Sequence, residues 1–167
     1  MKNIYKYILP LLLALTLSGC ALSFDNAPNI NPNYREVNLE LSSPYSAFSH
    51  DIKNSLKYAG IQVSSMYNKN LPTLDVSSVS SSSYTASIFE NGSEAQALNI
   101  YSTSLDIKMP NNGVYIYTIK SHMTYLTNSE NPLANSTQEA YLAKYKIKDL
   151  ANEVVSKYIF FVNNLKK

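Results

Sequence analysis

Two Asn-Gly pairs, Asn91-Gly92 and Asn112-Gly113, most constrain what this chain can fold into. Each pair separates two segments in which apolar and polar side chains alternate, and this is the strongest short-range signal of a β-hairpin. The pattern therefore predicts three successive antiparallel strands at the centre of the fold. They are Leu74–Phe89, Ala97–Met109 and Val114–Leu126.

The first of these strands contains a Ser-rich stretch, residues 77–83, which also resembles a low-complexity linker. We favour a strand because apolar residues such as Val76, Val79 and Tyr84 flank or interrupt the serines. A strand with Ser on both faces is weakly held by burial, so its pairing register is poorly specified. We therefore expect an irregularity in the middle of this strand.

The third strand has two chemically different faces, because successive side chains point to opposite sides of a sheet. One face is rich in aromatic residues and the other is polar. The first carries Tyr115, Tyr117, Ile119, Met123 and Tyr125, and the second carries Thr118, Lys120, His122 and Thr124. Tyr combines an apolar ring with a polar tip, which suits an interface, and it is also an ordinary strand residue. Both interpretations stay open, and the first makes the Tyr115–Tyr125 face a candidate surface for a partner.

A strand, a helix and a second strand are predicted before the three long strands. Val37–Leu41 alternates as a half-buried strand, and Ile61–Val63 resumes that alternation. Between them, Ser43 and Pro44 are typical of an N-cap and a first helical position, and Gly60 is typical of a helix end. One apolar stripe at steps of three and four runs along this helix. It comprises Tyr45, Phe48, Ile52, Leu56 and Ala59.

A second helix is predicted at the C-terminus, after a loop spanning Asn128–Asn135. Ser136 and Glu139 have the spacing of a capping box. The helix then presents an apolar stripe that includes Leu150, Val154 and Tyr158. Two amphipathic helices and one sheet predict an α+β two-layer sandwich, with both helices on one face of a mixed four- to five-stranded β-sheet.

The N-terminus has the organisation of a secretory signal. Two lysines precede a short apolar run that ends at Leu17-Ser18-Gly19-Cys20. The run has about 10 residues, too few for the ~20 that a membrane-spanning helix needs. Leu-Ser-Gly-Cys resembles the lipobox of bacterial lipoproteins, which implies cleavage before Cys20 and acylation of that cysteine. The predicted organisation is a signal peptide at 1–19, a flexible tether at 20–34 and one folded domain at 35–167.

Composition excludes several functions. After removal of the signal peptide the basic and acidic side chains are equal in number, and nucleic-acid binding needs clustered cations, so no nucleic-acid partner is expected. The two histidines, His50 and His122, have no metal-ligand spacing, and the four glycines leave none for a phosphate loop. No nucleophile elbow occurs. An enzyme, a metal and a cofactor are therefore not predicted.

The order of these elements resembles the LptE (RlpB) family of LPS-assembly lipoproteins. The local similarity is strongest in three stretches, while the general similarity covers about Glu36 to Leu165. The stretches are residues 85–92 (TASIFENG), residues 56–61 (LKYAGI) and Asn131-Pro132.

This resemblance implies an outer-membrane lipoprotein, anchored on the periplasmic side, that plugs and helps assemble the LptD β-barrel and assists lipopolysaccharide transport. Ala21, next to Cys20, is consistent with sorting to the outer membrane. An auxiliary lipid-binding lipoprotein of another envelope lipid-transport system is the alternative.

The resemblance also indicates candidate contacts with lipopolysaccharide or the barrel. Some relatives carry a basic residue where Glu90 stands and another near Ser136, and neither residue is basic here. Lys108, Lys120 and the C-terminal set of lysines are therefore the candidate replacements, and the projecting turn supplies the other candidates. The predicted contact residues are Phe89, Glu90, Asn91, Lys108 and Lys120.

Overall fold

The computed structural model describes residues 30–90, 92, 94–127 and 131–165 of the chain. A short 3-10 turn at Pro32–Tyr34 is followed by two α-helices and six strands in the order β1-α1-β2-β3-β4-β5-β6-α2. Their bounds are β1 Glu36–Leu41, α1 Ala47–Tyr58, β2 Gln62–Val63, β3 Thr73–Val76, β4 Ser80–Ile88, β5 Glu94–Lys108, β6 Val114–Leu126 and α2 Pro132–Asn164. Outside the described residues lie the predicted signal peptide, Cys20 and most of the predicted tether.

All the strands belong to one mixed sheet built around β5. Over its whole length, β6 pairs antiparallel with one edge of β5. On the opposite edge of β5, β3 and β4 pair one after the other. β1 lies parallel to β3, and β2 lies parallel to β1. The predicted α+β class, with two helices and a mixed sheet, is confirmed, and the finer description as a two-layer sandwich stays a prediction.

The sheet has six strands rather than the four or five predicted, because the first long strand is divided in two. Val76 faces Leu105 and Ser80 faces Ser102, so three residues of one strand oppose two of β5. Such a bulge bends a strand and interrupts its ladder. Ser77 keeps two hydrogen bonds to β5 at this bulge. Its N–H donates to the Ser104 carbonyl at 3.0 Å, and its carbonyl accepts from the Thr103 hydroxyl at 2.8 Å. The expected irregularity therefore lies at residues 77–79, and the register shifts again between Thr85 and Ile88.

The helix α1 forms as predicted but starts one turn later. Ser46, rather than Ser43, is its N-cap, and the Ser46 hydroxyl accepts from the Ser49 N–H at 3.2 Å. Tyr45 consequently lies before the helix and is fully exposed, so it is not part of the apolar stripe. The other end follows the prediction, since Gly60 has a φ of +73° and the Ile61 N–H reaches the Leu56 carbonyl at 2.9 Å.

The helix α2 begins four residues before the predicted capping box. Asn131 is its N-cap, accepting from the Ala134 N–H at 3.1 Å, and Pro132 takes the first turn, where a missing N–H costs nothing. Ser136 is therefore inside the helix. Glu139 has a different role from the one predicted, because its carboxylate accepts a 2.8 Å hydrogen bond from Asn99 on β5.

One hydrophobic core joins both helices to one face of the sheet. Most odd-numbered residues of β5 and β6 point into it, as do the predicted stripe of α1, Tyr45 excepted, and that of α2. Its most buried members include Ile52, Leu56, Leu74, Leu105, Ile107, Leu150, Val154 and Tyr158. The Tyr115–Tyr125 face lies on this side, so the interpretation of it as a surface for a partner is wrong. The alternation in the sequence identified which residues share a face of the sheet, but it did not identify which face the helices cover.

The folded region also includes residues that the sequence placed in the tether. Ile30 is buried in the core, and the hydroxyl of Tyr158 donates to the Tyr34 carbonyl at 2.9 Å. Burial, and to a smaller extent the neighbouring Tyr34, raises the pKa of Tyr158. The protonated hydroxyl thus holds the start of the fold against α2.

Replacing Leu150 with Ala tests the core. Leu150 is fully buried, so Leu150→Ala is expected to lower the free energy of unfolding by about 2–5 kcal/mol through lost burial and a cavity. Urea unfolding of the domain beginning at Ile30 measures this. Lys148→Ala, an exposed position on the same helix, is the control and should change the value by less than about 0.5 kcal/mol. Equal effects of the two substitutions would contradict the assignment of Leu150 to the core.

Candidate functional site

The candidate residues predicted from the sequence do not converge on one site. Phe89 and Glu90 lie at the turn between β4 and β5, whereas Lys108 lies at the opposite end of β5. β5 has 15 residues, so its ends are on the order of 45 Å apart. Lys120 faces Ser102, near the middle of the sheet. Asn91 lies outside the described residues.

The turn after β4 projects a partly apolar tip. Gly92 has a φ of +80°, and its N–H donates to the Phe89 carbonyl at 2.9 Å, which closes the turn. Phe89 is 46% exposed, so it is not a core residue. Glu90 is exposed beside it.

Other exposed apolar side chains lie at the same end of the sheet as this tip. Ile88 ends β4, Leu126 ends β6, and Leu133 lies in the first turn of α2; each is at least 66% exposed. Grouped exposed apolar side chains are typical of surfaces that contact protein or lipid. None of these three residues was predicted as a contact from the sequence. Their positions at the ends of strands and helices were a usable signal, because element ends that are joined by short turns lie near one another in the folded protein.

Lys108 is already engaged by two carboxylates. Its ammonium lies 2.8 Å from an Asp75 carboxylate oxygen and 3.0 Å from one of Glu40. Hydrogen bonds to Asp75 first, and then to Glu40, raise the pKa of Lys108 above its ordinary value. The local charge is therefore negative overall, and Lys108 is a poor candidate for binding a phosphate.

Lys120 has a different environment. It lines a groove of about 420 Å³ between the outer edge of β6 and α2. Lys157 lines the same groove, with its ammonium 4.6 Å from the centre of the Tyr117 ring and 5.6 Å from that of Phe160. Glu153 is the one carboxylate in the lining, so the groove carries more positive than negative charge. Lys157 belongs to the C-terminal set of lysines that the sequence offered as candidates, but it was not singled out within that set; its spacing of three residues from Phe160 on a helix was the available signal.

The described residues offer no sign of metal chemistry. Within residues 30–165, the masked positions apart, no three His, Cys, Asp or Glu side chains are grouped to hold a metal ion. In the same part of the chain, neither helix is long and apolar enough to cross a membrane.

A pair of lysine substitutions tests the contrast between Lys108 and Lys120. Lys108→Met leaves Asp75 and Glu40 facing each other without a cation, so it is expected to lower the free energy of unfolding by roughly 0.5–1 kcal/mol at low salt. Lys120→Met is the matched control, expected within about 0.5 kcal/mol of the wild type. Urea unfolding at low and high ionic strength measures both. Indistinguishable effects of the two substitutions would contradict the proposed difference.

Comparison with known proteins gives two kinds of similarity. No protein-family model matches the chain. The LPS-assembly lipoproteins LptE of Yersinia pestis (strain Pestoides F) and Yersinia pseudotuberculosis serotype O:1b (strain IP 31758) are each 25% identical to it over 152 residues. These alignments cover 89% of this chain and 73% of each relative.

Solved structures share the fold. Rare lipoprotein B from Shewanella oneidensis superposes with a TM-score of 0.73 and 19% identity, covering 79% of this chain and 99% of that one. A minor lipoprotein from Acinetobacter baumannii gives a TM-score of 0.60 at 18% identity, covering 75% of this chain and 90% of its own. The order of elements, the fold and the sequence similarity agree, and the resemblance of this chain to the LptE (RlpB) family is thereby confirmed.

Proposed function

We propose that this protein is a lipid-anchored outer-membrane lipoprotein that plugs and helps assemble an LptD-type β-barrel and assists lipopolysaccharide transport. The observation that carries the proposal is the similarity to LptE over 89% of the chain. The lipobox resemblance at Leu17-Ser18-Gly19-Cys20 supports the anchor.

The exposed half of the sheet supports a protein that works inside a larger partner. All nine residues of β4 are exposed, and none of them is charged. Among the described strands, β4 pairs only with β5, so its other edge is open. An uncharged open edge without Pro is a hazard for aggregation unless a partner covers it. The polar lumen of a barrel is a suitable environment for such a Ser-rich surface.

The tip supports a contact at the end of the plug. Phe89 is accompanied there by exposed Ile88, Leu126 and Leu133, so the described residues at this end of the sheet include exposed apolar side chains and no Lys or Arg. Because Glu90 is acidic, we assign this end to acyl chains or to the barrel wall and not to phosphate groups. Lys120, which forms no ion pair with the described residues, lies elsewhere on the sheet.

Removing the acylation site tests the anchor. Cys20→Ala leaves no thiol for acylation, and stable membrane anchoring normally needs more than one lipid chain or a second signal. We expect the variant to be soluble in the periplasm or retained as an uncleaved precursor. Fractionation and mass measurement of the mature N-terminus distinguish these forms from the wild type. A variant that is processed normally and remains in the outer membrane would argue against lipidation.

Replacing the aromatic residue at the tip tests its role. Phe89→Ser removes a half-exposed ring and leaves the backbone of the turn unchanged, so the isolated domain should stay folded. We expect recovery of the barrel, or binding of lipopolysaccharide, to fall at least about fivefold, the loss typical of a moderate interface contact. Tyr45→Ser, which removes a fully exposed ring before α1, is the matched control.

The measurement for this pair is quantitative co-purification after crosslinking in outer membranes, together with the melting temperature of each variant. Unfolding of Phe89→Ser would make the residue part of the core and remove the contact assignment. Normal folding with unchanged barrel recovery and lipid binding would place the functional surface elsewhere. If the wild-type protein captures lipid but no large β-barrel, the alternative function in another lipid-transport system is correct.

A further inference from the structure

The outer edge of β6 exposes a regular row of backbone donors and acceptors. At the two ends of the β5–β6 ladder, the Met109 N–H donates to the Gly113 carbonyl at 2.7 Å and the Thr127 N–H donates to Ala95 at 3.0 Å. The register between these ends is continuous. In an antiparallel pair, hydrogen-bonded and non-bonded positions alternate. The odd-numbered residues of β6 therefore bond to β5, and the even-numbered residues direct both N–H and C=O outward.

These outward groups have no strand beside them. Among the strands that the structure describes, β6 pairs with β5 alone. Thr118 and Lys120 supply two consecutive outward positions, and His122 supplies the next. The groove described above runs along Thr118–Lys120, with Ser156, Lys157 and Phe160 of α2 on its other side. The open edge is thus the floor of a groove whose wall is a helix.

Both the backbone pattern and the charge restrict what fits there. Phosphate oxygens accept hydrogen bonds and would leave the outward carbonyls unpaired, whereas an extended peptide supplies donors and acceptors at the matching repeat. Lys120 and Lys157 outnumber Glu153 in the lining, which favours acidic side chains on the occupant. A second copy of β6, paired antiparallel and centred on the same site, would place Lys120 against Lys120, and like charges across a strand pair are unfavourable.

We propose that the edge of β6 at Thr118–His122 binds an extended, acidic segment of a partner protein by strand addition. The segment pairs with the outward N–H and C=O groups of the even-numbered residues, and its acidic side chains lie near Lys120 and Lys157. This site is separate from the Phe89 tip, and the inference does not depend on the barrel-plug function.

Amide hydrogen exchange with a defined peptide tests the proposal. The probe is a synthetic heptapeptide of alternating Glu and Val with blocked ends, and the matched control replaces each Glu with Lys. With the acidic peptide, exchange of the Thr118, Lys120 and His122 amides is expected to slow by at least about tenfold, since amides without hydrogen bonds become paired. The Ile119 and Ser121 amides, already bonded to β5, should change little.

A proline substitution separates strand addition from electrostatic attraction. Proline is tolerated in an edge strand where its missing N–H faces outward, so Thr118→Pro should leave the β5–β6 ladder intact while removing one donor to the added strand. Peptide affinity is expected to fall at least about fivefold, the effect of one hydrogen bond. Thr118→Val keeps the N–H and should bind like the wild type. The Ile119 and Ser121 amides report whether each variant remains folded.

Four outcomes would overturn the proposal. In the first two, the acidic peptide gives no protection, or both peptides protect the edge equally. Vesicles of phosphatidylglycerol protect the same amides when the acidic peptide does not, which makes the groove a lipid site. Protection without any peptide rises with protein concentration, which makes the edge a contact between two copies. None of these results bears on co-purification with a barrel, so failure here and failure of the plug function are distinguishable.

Discussion

The pairing of β5 with strands on both of its edges is the constraint on which the rest of the structure depends. Even-numbered residues of β5 bond to β3 and β4, as the bond from Ser77 to Ser104 shows, and odd-numbered residues bond to β6. The same odd-numbered residues, from Ala97 to Ile107, direct their side chains into the core. One strand therefore fixes both the sheet register and the side that the helices cover. A slip of one residue would turn the core side chains of β5 outward.

The long strands β5 and β6 extend well beyond the part of the sheet that contains β1, β2 and β3. The part with β1–β3 is the closed end, and the part with β4 is the open end. At one end, β1 and β2 continue the sheet past β3, and the buried side chains of α1 cover it. At the other end, β4 is exposed at all nine residues, while α2 covers β5 and β6. The free energy of folding thus comes mainly from the closed end and from α2. The open end is held by backbone pairing with β5, which leaves its surface available for recognition.

Local patterns predicted the elements well because turns and helix stripes depend on nearby residues. Gly60 and Gly92 adopt the positive φ that their positions suggested, and the stripes through Ile52 and Leu150 are buried. The errors occurred where two local signals competed or where a distant contact decided. Ser43 and Ser46 both have a residue type that is favoured at an N-cap. Ser43 instead starts a turn before the helix, in which its carbonyl accepts the Ser46 N–H at 3.1 Å and the Ser49 hydroxyl at 2.6 Å. Asn131-Pro132 was assigned to the loop before α2, although Asn and Pro are favoured at an N-cap and a first helical position, and the helix starts there.

The candidate site shows the limit of local patterns more clearly, because Lys108 and Lys120 lie on the same face of the sheet and look equivalent in sequence. Two carboxylates from β1 and β3 neutralise Lys108, and these are 68 and 33 residues away along the chain. Lys120 lies on the strand whose outer edge is open, where no described strand can bring a carboxylate beside it. Position across the sheet, rather than the residue type, therefore determines which lysine is available to a partner. The same open edge that leaves Lys120 without an ion-pair partner leaves its backbone N–H and C=O unpaired, so charge and hydrogen-bonding capacity coincide at one place.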